Sequence, residues 1–319
     1  MIEVRNLSKH FGGKVAVDQL SFTVKKGEVL GFLGPNGAGK STTMRMITGY
    51  LPMTGGSVSI GGADVVEDEL TAKARIGYLP ENAPLYNDMS VDGFLRFAAE
   101  LRRVPASQIN DAVDKAVETC FLQSVRQQSI DTLSKGYRHR TCLAQSIIHD
   151  PDVLILDEPT DGLDPNQKHE ARELIRRMGK DKAIIFSTHI LEEVEAACSR
   201  AIIIDQGRIV ADGTPNELKQ QAAHAGVVVA RLRGLAGTGI KQELERLSEC
   251  KSLEVSDSGE DTICARVDPA KGKTSEDLSS AIFRMAVDKN LTVEELRIEE
   301  GRLDDVFRQV TQSDTATKA

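Results

Sequence analysis

Gly34-Pro35-Asn36-Gly37-Ala38-Gly39-Lys40-Ser41 fits the phosphate-loop pattern GxxxxGK[ST], and this stretch decides the fold. A triphosphate needs many donors close to its oxygens, and glycines let backbone N–H groups approach where a side chain would block them. Asn36, Gly37, Ala38 and Gly39 are therefore expected around the phosphates, with Lys40 reaching the β- and γ-phosphates as a point charge and the Ser41 hydroxyl on Mg²⁺. Thr42-Thr43-Met44 begins a helix whose positive end adds to the same site. The apolar run Val29-Leu30-Gly31-Phe32-Leu33 directly before the loop reads as the strand that feeds it.

Three further runs are apolar throughout: Val153-Leu154-Ile155-Leu156, Ala183-Ile184-Ile185-Phe186 and Ala201-Ile202-Ile203-Ile204. Apolar character on both faces predicts strands of a mainly parallel sheet covered by helices, the α/β class, with ligands at the strand ends. Asp157-Glu158 follows the Val153 run, so Asp157 is expected to hold Mg²⁺ and Glu158 to polarise the attacking water. His189 follows the Ala183 run through Ser187-Thr188, where a γ-phosphate could be sensed. Alone, an acidic pair or a histidine at a strand end is ordinary structure; together with the phosphate loop the functional reading dominates.

From about Asn82 to Asp150 helical periodicity replaces the strand pattern, which predicts an inserted helical lobe (residues 82–150) within a first domain of residues 1–220. Beyond Gln220 the order reads β-α-β-β-α-β, from Val227 to Ile298, which matches the ferredoxin-like arrangement. That predicts a small α+β accessory domain over residues 221–312 and a flexible tail over 313–319.

A chain of 319 residues can fill two cores. The net charge of -8 disfavours a dedicated nucleic-acid binder. The five cysteines are scattered without a CxxC pair, as reduced thiols of a cytosolic protein would be. No apolar run approaches membrane-spanning length, so membrane association is expected through a partner.

Read with Leu133-Ser134-Lys135-Gly136-Tyr137 and Gly162-Leu163-Asp164, the order of these motifs resembles the ABC-type ATPases, over roughly Ile2 to Leu218. The resemblance implies a P-loop NTPase fold, ATP and Mg²⁺ as ligands, and a second copy of the chain as partner. It further implies that Ser134, Lys135 and Gly136 form the signature segment acting in trans, that Asp164 communicates across the dimer, and that His189 is the switch histidine. Phe11 becomes the aromatic that stacks on adenine, where the residue alone reads equally as core. Two motifs depart from the family pattern: in the signature segment Lys135 and Tyr137 stand where glycine and glutamine are usual, and Glu81 stands where a glutamine usually contacts the metal. Glu81 keeps an oxygen for Mg²⁺ but adds negative charge near the triphosphate.

The wording Gly77-Tyr78-Leu79-Pro80-Glu81-Asn82 with Leu133-Ser134-Lys135-Gly136-Tyr137-Arg138 is similar to the gliding-motility branch within the group serving ABC-2 type permeases. The resemblance implies a peripheral ATPase on the cytoplasmic face of the inner membrane, bound to integral permease subunits through residues 82–104. Two rivals stay open: the engine of an envelope or gliding-type complex that moves no solute, and a soluble ABC-type ATPase acting on nucleic acid or ribosomes. The latter group generally carries two cassettes or a long coiled-coil insertion, and this sequence shows neither.

Overall fold

The computed structural model describes residues 1–82, 84–222, 225–234, 237–258 and 262–311. Among the described residues two compact units emerge, one of Met1–Pro215 with residues 310–311, the other Asn216–Gln309. The expected tail, 313–319, lies outside the described residues.

The first unit runs β1 (Ile2–Phe11), β2 (Lys14–Val24), β3 (Val29–Leu33), α1 (Lys40–Ile47), β4 (Gly55–Ile60), β5 (Ala63–Asp64), α2 (Glu69–Ala74) and β6 (Ile76–Leu79). It continues with α3 (Val91–Leu101), α4 (Ile109–Thr119), α5 (Lys135–Ile147), β7 (Val153–Asp157), α6 (Pro165–Met178), β8 (Ala183–Thr188), α7 (Leu191–Ala197), β9 (Arg200–Asp205) and β10 (Arg208–Gly213). A six-stranded sheet has the order β10-β9-β3-β8-β7-β6, parallel except for β10 at its edge. A separate antiparallel sheet, β2-β1-β4-β5, was not anticipated from the apolar runs, because its strands alternate buried and exposed residues.

The central strands are apolar throughout because each face meets its own core. Val153 and Ile155 join Leu30, Phe32 and Ile185 on the side of β1, β2, β4 and α1. Leu154 and Leu156 turn the other way, onto Phe94, Leu95, Val113 and Leu143 of the helical lobe. This is the period of two that a strand imposes, filled with apolar residues on both sides. The Phe22 and Phe32 rings, with centroids 5.6 Å apart, tie the antiparallel sheet to the parallel one.

Register brings the strand ends level. Leu33 pairs with Thr188, Asp157 with Ser187, and Leu79 with Leu156. With strands spaced about 4.8 Å apart, the segments leaving β3, β8, β7 and β6 all issue from one edge within about 15 Å.

The second unit contains β11 (Val228–Arg233), α9 (Gly237–Glu245), β12 (Cys250–Ser258), β13 (Thr262–Pro269), α10 (Ser275–Asp288) and β14 (Thr292–Ile298), after the short α8 (Pro215–Lys219); α11 (Leu303–Val310) follows β14. Its sheet order is β12-β13-β11-β14, antiparallel at every pairing. Val228, Ala230 and Leu232 pack with Ile240, Leu244, Leu278 and Ile282 of the helices. A capping box on Thr274 and Asp277 starts α10.

Candidate active site

The loop after β3 reaches α1 through Gly39, whose φ of 107° lies in the left-handed region and whose added Cβ would meet the Ala16 carbonyl oxygen at 2.6 Å. Only glycine turns the chain here without strain and without a backbone clash. The N–H groups of Lys40, Ser41 and Thr42 are among the first four of the helix, which have no acceptor within it and so point toward an anion.

Lys40 is buried, and its Nζ donates to the carbonyls of Gly34 (2.8 Å) and Pro35 (3.3 Å) and stands 4.0 Å from Glu158 Oε1. Burial lowers its pKa, an effect opposed by the negative charges of Glu158, Asp157 and Glu81. Ser41 Oγ donates to Asp157 Oδ1 at 3.3 Å, and Asp157 is fully buried at the end of β7. A hydroxyl beside a carboxylate is a hard-oxygen pair of the kind Mg²⁺ takes when nucleotide phosphates and water complete its shell, so these residues fit that ion.

Glu158 adopts φ 51°, unusual for a side chain with a Cβ, and its N–H donates to the Ser187 carbonyl at 3.1 Å. Such a conformation costs on the order of 1–3 kcal/mol and marks a residue held by its surroundings. His189 Nδ1 lies 3.1 Å from both Glu158 carboxylate oxygens. Because an ionised carboxylate only accepts, Nδ1 carries the proton in this contact. Burial raises the Glu158 pKa, partly offset by His189 and Lys40, while the Asp157 charge adds to the rise. A more readily protonated carboxylate is also a stronger base.

An open cleft of about 370 Å³ is lined by Phe11, Asn36, Gly37, Gly39, Lys40, Ser41, Thr42, Glu81 and Glu158. Ala38 is buried and does not line it. Phe11 is not a core residue: it is 50% exposed, with the Lys9 ammonium 5.1 Å from its ring centroid. A larger groove of about 550 Å³ is lined by Asp18, Arg208 and Asp212, but Arg208 is already paired with Asp18 and the groove carries none of the phosphate-loop donors.

Lys14 and Ala16 also line the cleft, and Ser187 Oγ donates to Asp157 Oδ1. None of the three was singled out from sequence. Ser187, adjoining Thr188-His189 at the end of an apolar run, carried a usable signal, whereas Lys14 and Ala16 carried none.

Ser134, Lys135, Gly136 and Asp164 do not line this cleft. Ser134 caps α5, its Oγ accepting from the Tyr137 N–H, and Asp164 caps α6, accepting from the Gln167 N–H at 2.9 Å. Between the two caps, Lys135 Nζ pairs with Asp161 at 2.9 Å and holds that carboxyl below its usual range. A Cβ on Gly136 would meet Gln167 Oε1 at 2.5 Å.

A phosphate loop after a central strand, with acidic and histidine side chains at the ends of the neighbouring parallel strands, defines a P-loop nucleoside triphosphatase. Residues 17–161 match the family model described as ABC transporter. The Nod factor export ATP-binding protein I of Burkholderia orbicola (strain AU 1054) is 35% identical over 269 residues, covering 84% of this chain and 86% of that protein. The probable multidrug ABC transporter ATP-binding protein YbhF of Escherichia coli (strain K12) is 37% identical over 225 residues, covering 70% of this chain; the chain spans only 39% of that relative's length. A solved structure described as the ATP binding subunit of an ABC transporter superposes with a TM-score of 0.64 at 29% identity, over 69% of this chain and 92% of that one. The chain belongs to the ABC transporter ATP-binding protein family.

Proposed function

We propose that this chain hydrolyses ATP as the peripheral engine of a membrane transporter. The observation that carries the reading is the juxtaposition, at one sheet edge, of Lys40 and Ser41 with Asp157, Glu158 and His189. In this reading the α1 N-terminus and Lys40 bind the phosphates, and Phe11 stacks on the base. Glu158 accepts the proton of the attacking water, with His189 holding the carboxylate in place. Ser41, Asp157 and Glu81 would hold Mg²⁺, which when bound neutralises phosphate charge.

Ser134, Lys135 and Gly136 belong to a shared site in this reading. They lie outside the cleft of their own chain, and a second copy arranged head to tail would bring them to the γ-phosphate, Asp164 lying beside the junction. No helix among the described residues is long and apolar enough to cross a membrane. Attachment to the cytoplasmic face through permease subunits therefore completes the proposal, with residues 82–104 as the gripping surface.

Transport is supported by the names of the relatives, one a Nod factor export ATP-binding protein and the other a probable multidrug ABC transporter ATP-binding protein. The gliding-type engine is the second reading, favoured by the wording around Glu81 and Lys135. We read residues 1–220 as the ATPase domain with its lobe at 82–150, and 221–312 as a ferredoxin-like accessory domain, supported by the all-antiparallel order β12-β13-β11-β14.

The test is Glu158→Gln in the full chain. Turnover should nearly vanish while ATP binding persists, and size-exclusion chromatography should show an ATP-dependent dimer. An unchanged hydrolysis rate would remove Glu158 from the mechanism.

A further inference from the structure

Glu81 stands two residues beyond the end of β6 and lines the cleft that holds Lys40, Ser41 and Glu158. Its negative charge acts on the Lys40 ammonium together with those of Glu158 and Asp157. Three carboxylates therefore act on a lysine that a polyanion must reach, and among the described residues Lys14 is the one other lysine lining the cleft. Asp157 is buried and engaged by Ser41 and Ser187, and Glu158 is engaged by His189, so their charge is partly met within the protein. Glu81 faces the cleft from the exposed side.

We infer that Glu81 makes nucleotide entry conditional on a divalent cation, discriminating metal-bound from metal-free nucleoside triphosphate. The inference rests on the ATP reading above and goes further, because it assigns a selection step to one side chain. A metal-free terminal phosphate meets the Glu81 carboxylate as like charge against like. With a divalent cation on the phosphates the same carboxylate meets a cation, and the repulsion becomes attraction. At a separation on the order of 7 Å with water-like screening, each pair of unit charges changes binding roughly threefold, so a terminal phosphate with two charges gives about tenfold. Neutral glutamine at this position would remove the repulsion and most of the dependence.

Equilibrium titration with a fluorescent, non-hydrolysable ATP analogue reads this directly, in excess MgCl₂ and in excess EDTA. For the wild-type chain the Kd in EDTA divided by the Kd in Mg²⁺ should exceed that of Glu81→Gln about tenfold, the gain in the variant being tighter metal-free binding. Glu81→Asp, which keeps the charge, should keep most of the wild-type ratio, and added KCl should shrink the contrast between wild type and Glu81→Gln. Equal ratios in wild type and Glu81→Gln, or a contrast indifferent to salt, would overturn the inference while leaving ATP binding intact. A wild-type chain that binds the analogue in neither condition would overturn the ATP reading itself.

Discussion

His189 presents Nδ1 to Glu158 at 3.1 Å from each carboxylate oxygen, joining the end of β8 to the residue just past β7. The contact is symmetric, so the imidazole holds the carboxylate plane without committing it to one oxygen. Each oxygen keeps a further lone pair with which to accept from a water. His189→Ala should lower kcat by on the order of a hundredfold while leaving ATP affinity within about twofold, since Lys40 and the α1 N-terminus are untouched. Single-turnover hydrolysis with a parallel binding titration checks both halves.

Glu158 must be ionised to act as a base, and burial raises its pKa. The acid limb of kcat should therefore lie above the usual glutamate value near ~4.3, and His189→Ala, which removes a group opposing the rise, should move it higher still. The same shift has a stability sign. The folded state holds this proton more tightly than the unfolded chain, so the contribution is present below the unfolded pKa and lost as pH rises through the folded one. At pH 7 the ionised carboxylate opposes folding, and Glu158→Gln should raise Tm slightly, by about 2–4 °C for each kcal/mol relieved. Calorimetry on the variant without nucleotide tests this.

His139 and His149 are buried, and their pKa values fall to about 4, in each case chiefly from desolvation. The unfolded chain protonates them near ~6.5, so folding stability should be full above that value and decline as pH falls toward about 4. Denaturant midpoints across this range should show a slope that flattens in His139→Gln.

Gly39→Ala should destabilise the first unit by roughly 1–3 kcal/mol, because the positive φ is strained for alanine and the Cβ would meet the Ala16 carbonyl oxygen at 2.6 Å, with Val17 Cγ2 at 3.3 Å beside it. ATP affinity should fall with it, since the displaced backbone is the phosphate-facing turn. Urea unfolding together with nucleotide binding separates the two losses.

Lys135→Ala should change stability by less than about 1 kcal/mol, the Lys135–Asp161 pair being more than half exposed at both ends. Any larger change in ATPase rate then belongs to the shared site. Mixing this variant with Lys40→Ala should recover part of the activity that neither shows alone, through dimers with one intact composite site.

The individual chemical groups were legible in the chain because each announces itself within a few residues. Gly34 to Ser41 carries its own turn geometry, and the Val153 and Ala183 runs end directly on Asp157 and His189. The element order of the second unit was equally open to reading, β11-α9-β12-β13-α10-β14 following the β-α-β-β-α-β pattern read between Val227 and Ile298. The β1, β2, β4 and β5 sheet escaped because its half-exposed strands lack the apolar signature of the central ones.

By itself the sequence determined which groups exist and what each can do: the phosphate turn, the carboxylates at the end of a buried strand, and the histidine at the end of another. Only the tertiary structure decided which strand ends are neighbours. β3 and β7 are separated by more than a hundred residues, and each pairs with β8 through packing on two cores that no local spacing encodes. That packing sets Lys40 4.0 Å from Glu158 and brings Ser187 to Asp157, while Ser134 and Gly136 are left outside the cleft. The reason is physical range: turn and capping preferences act over about four residues, whereas strand adjacency follows from burying whole faces at once.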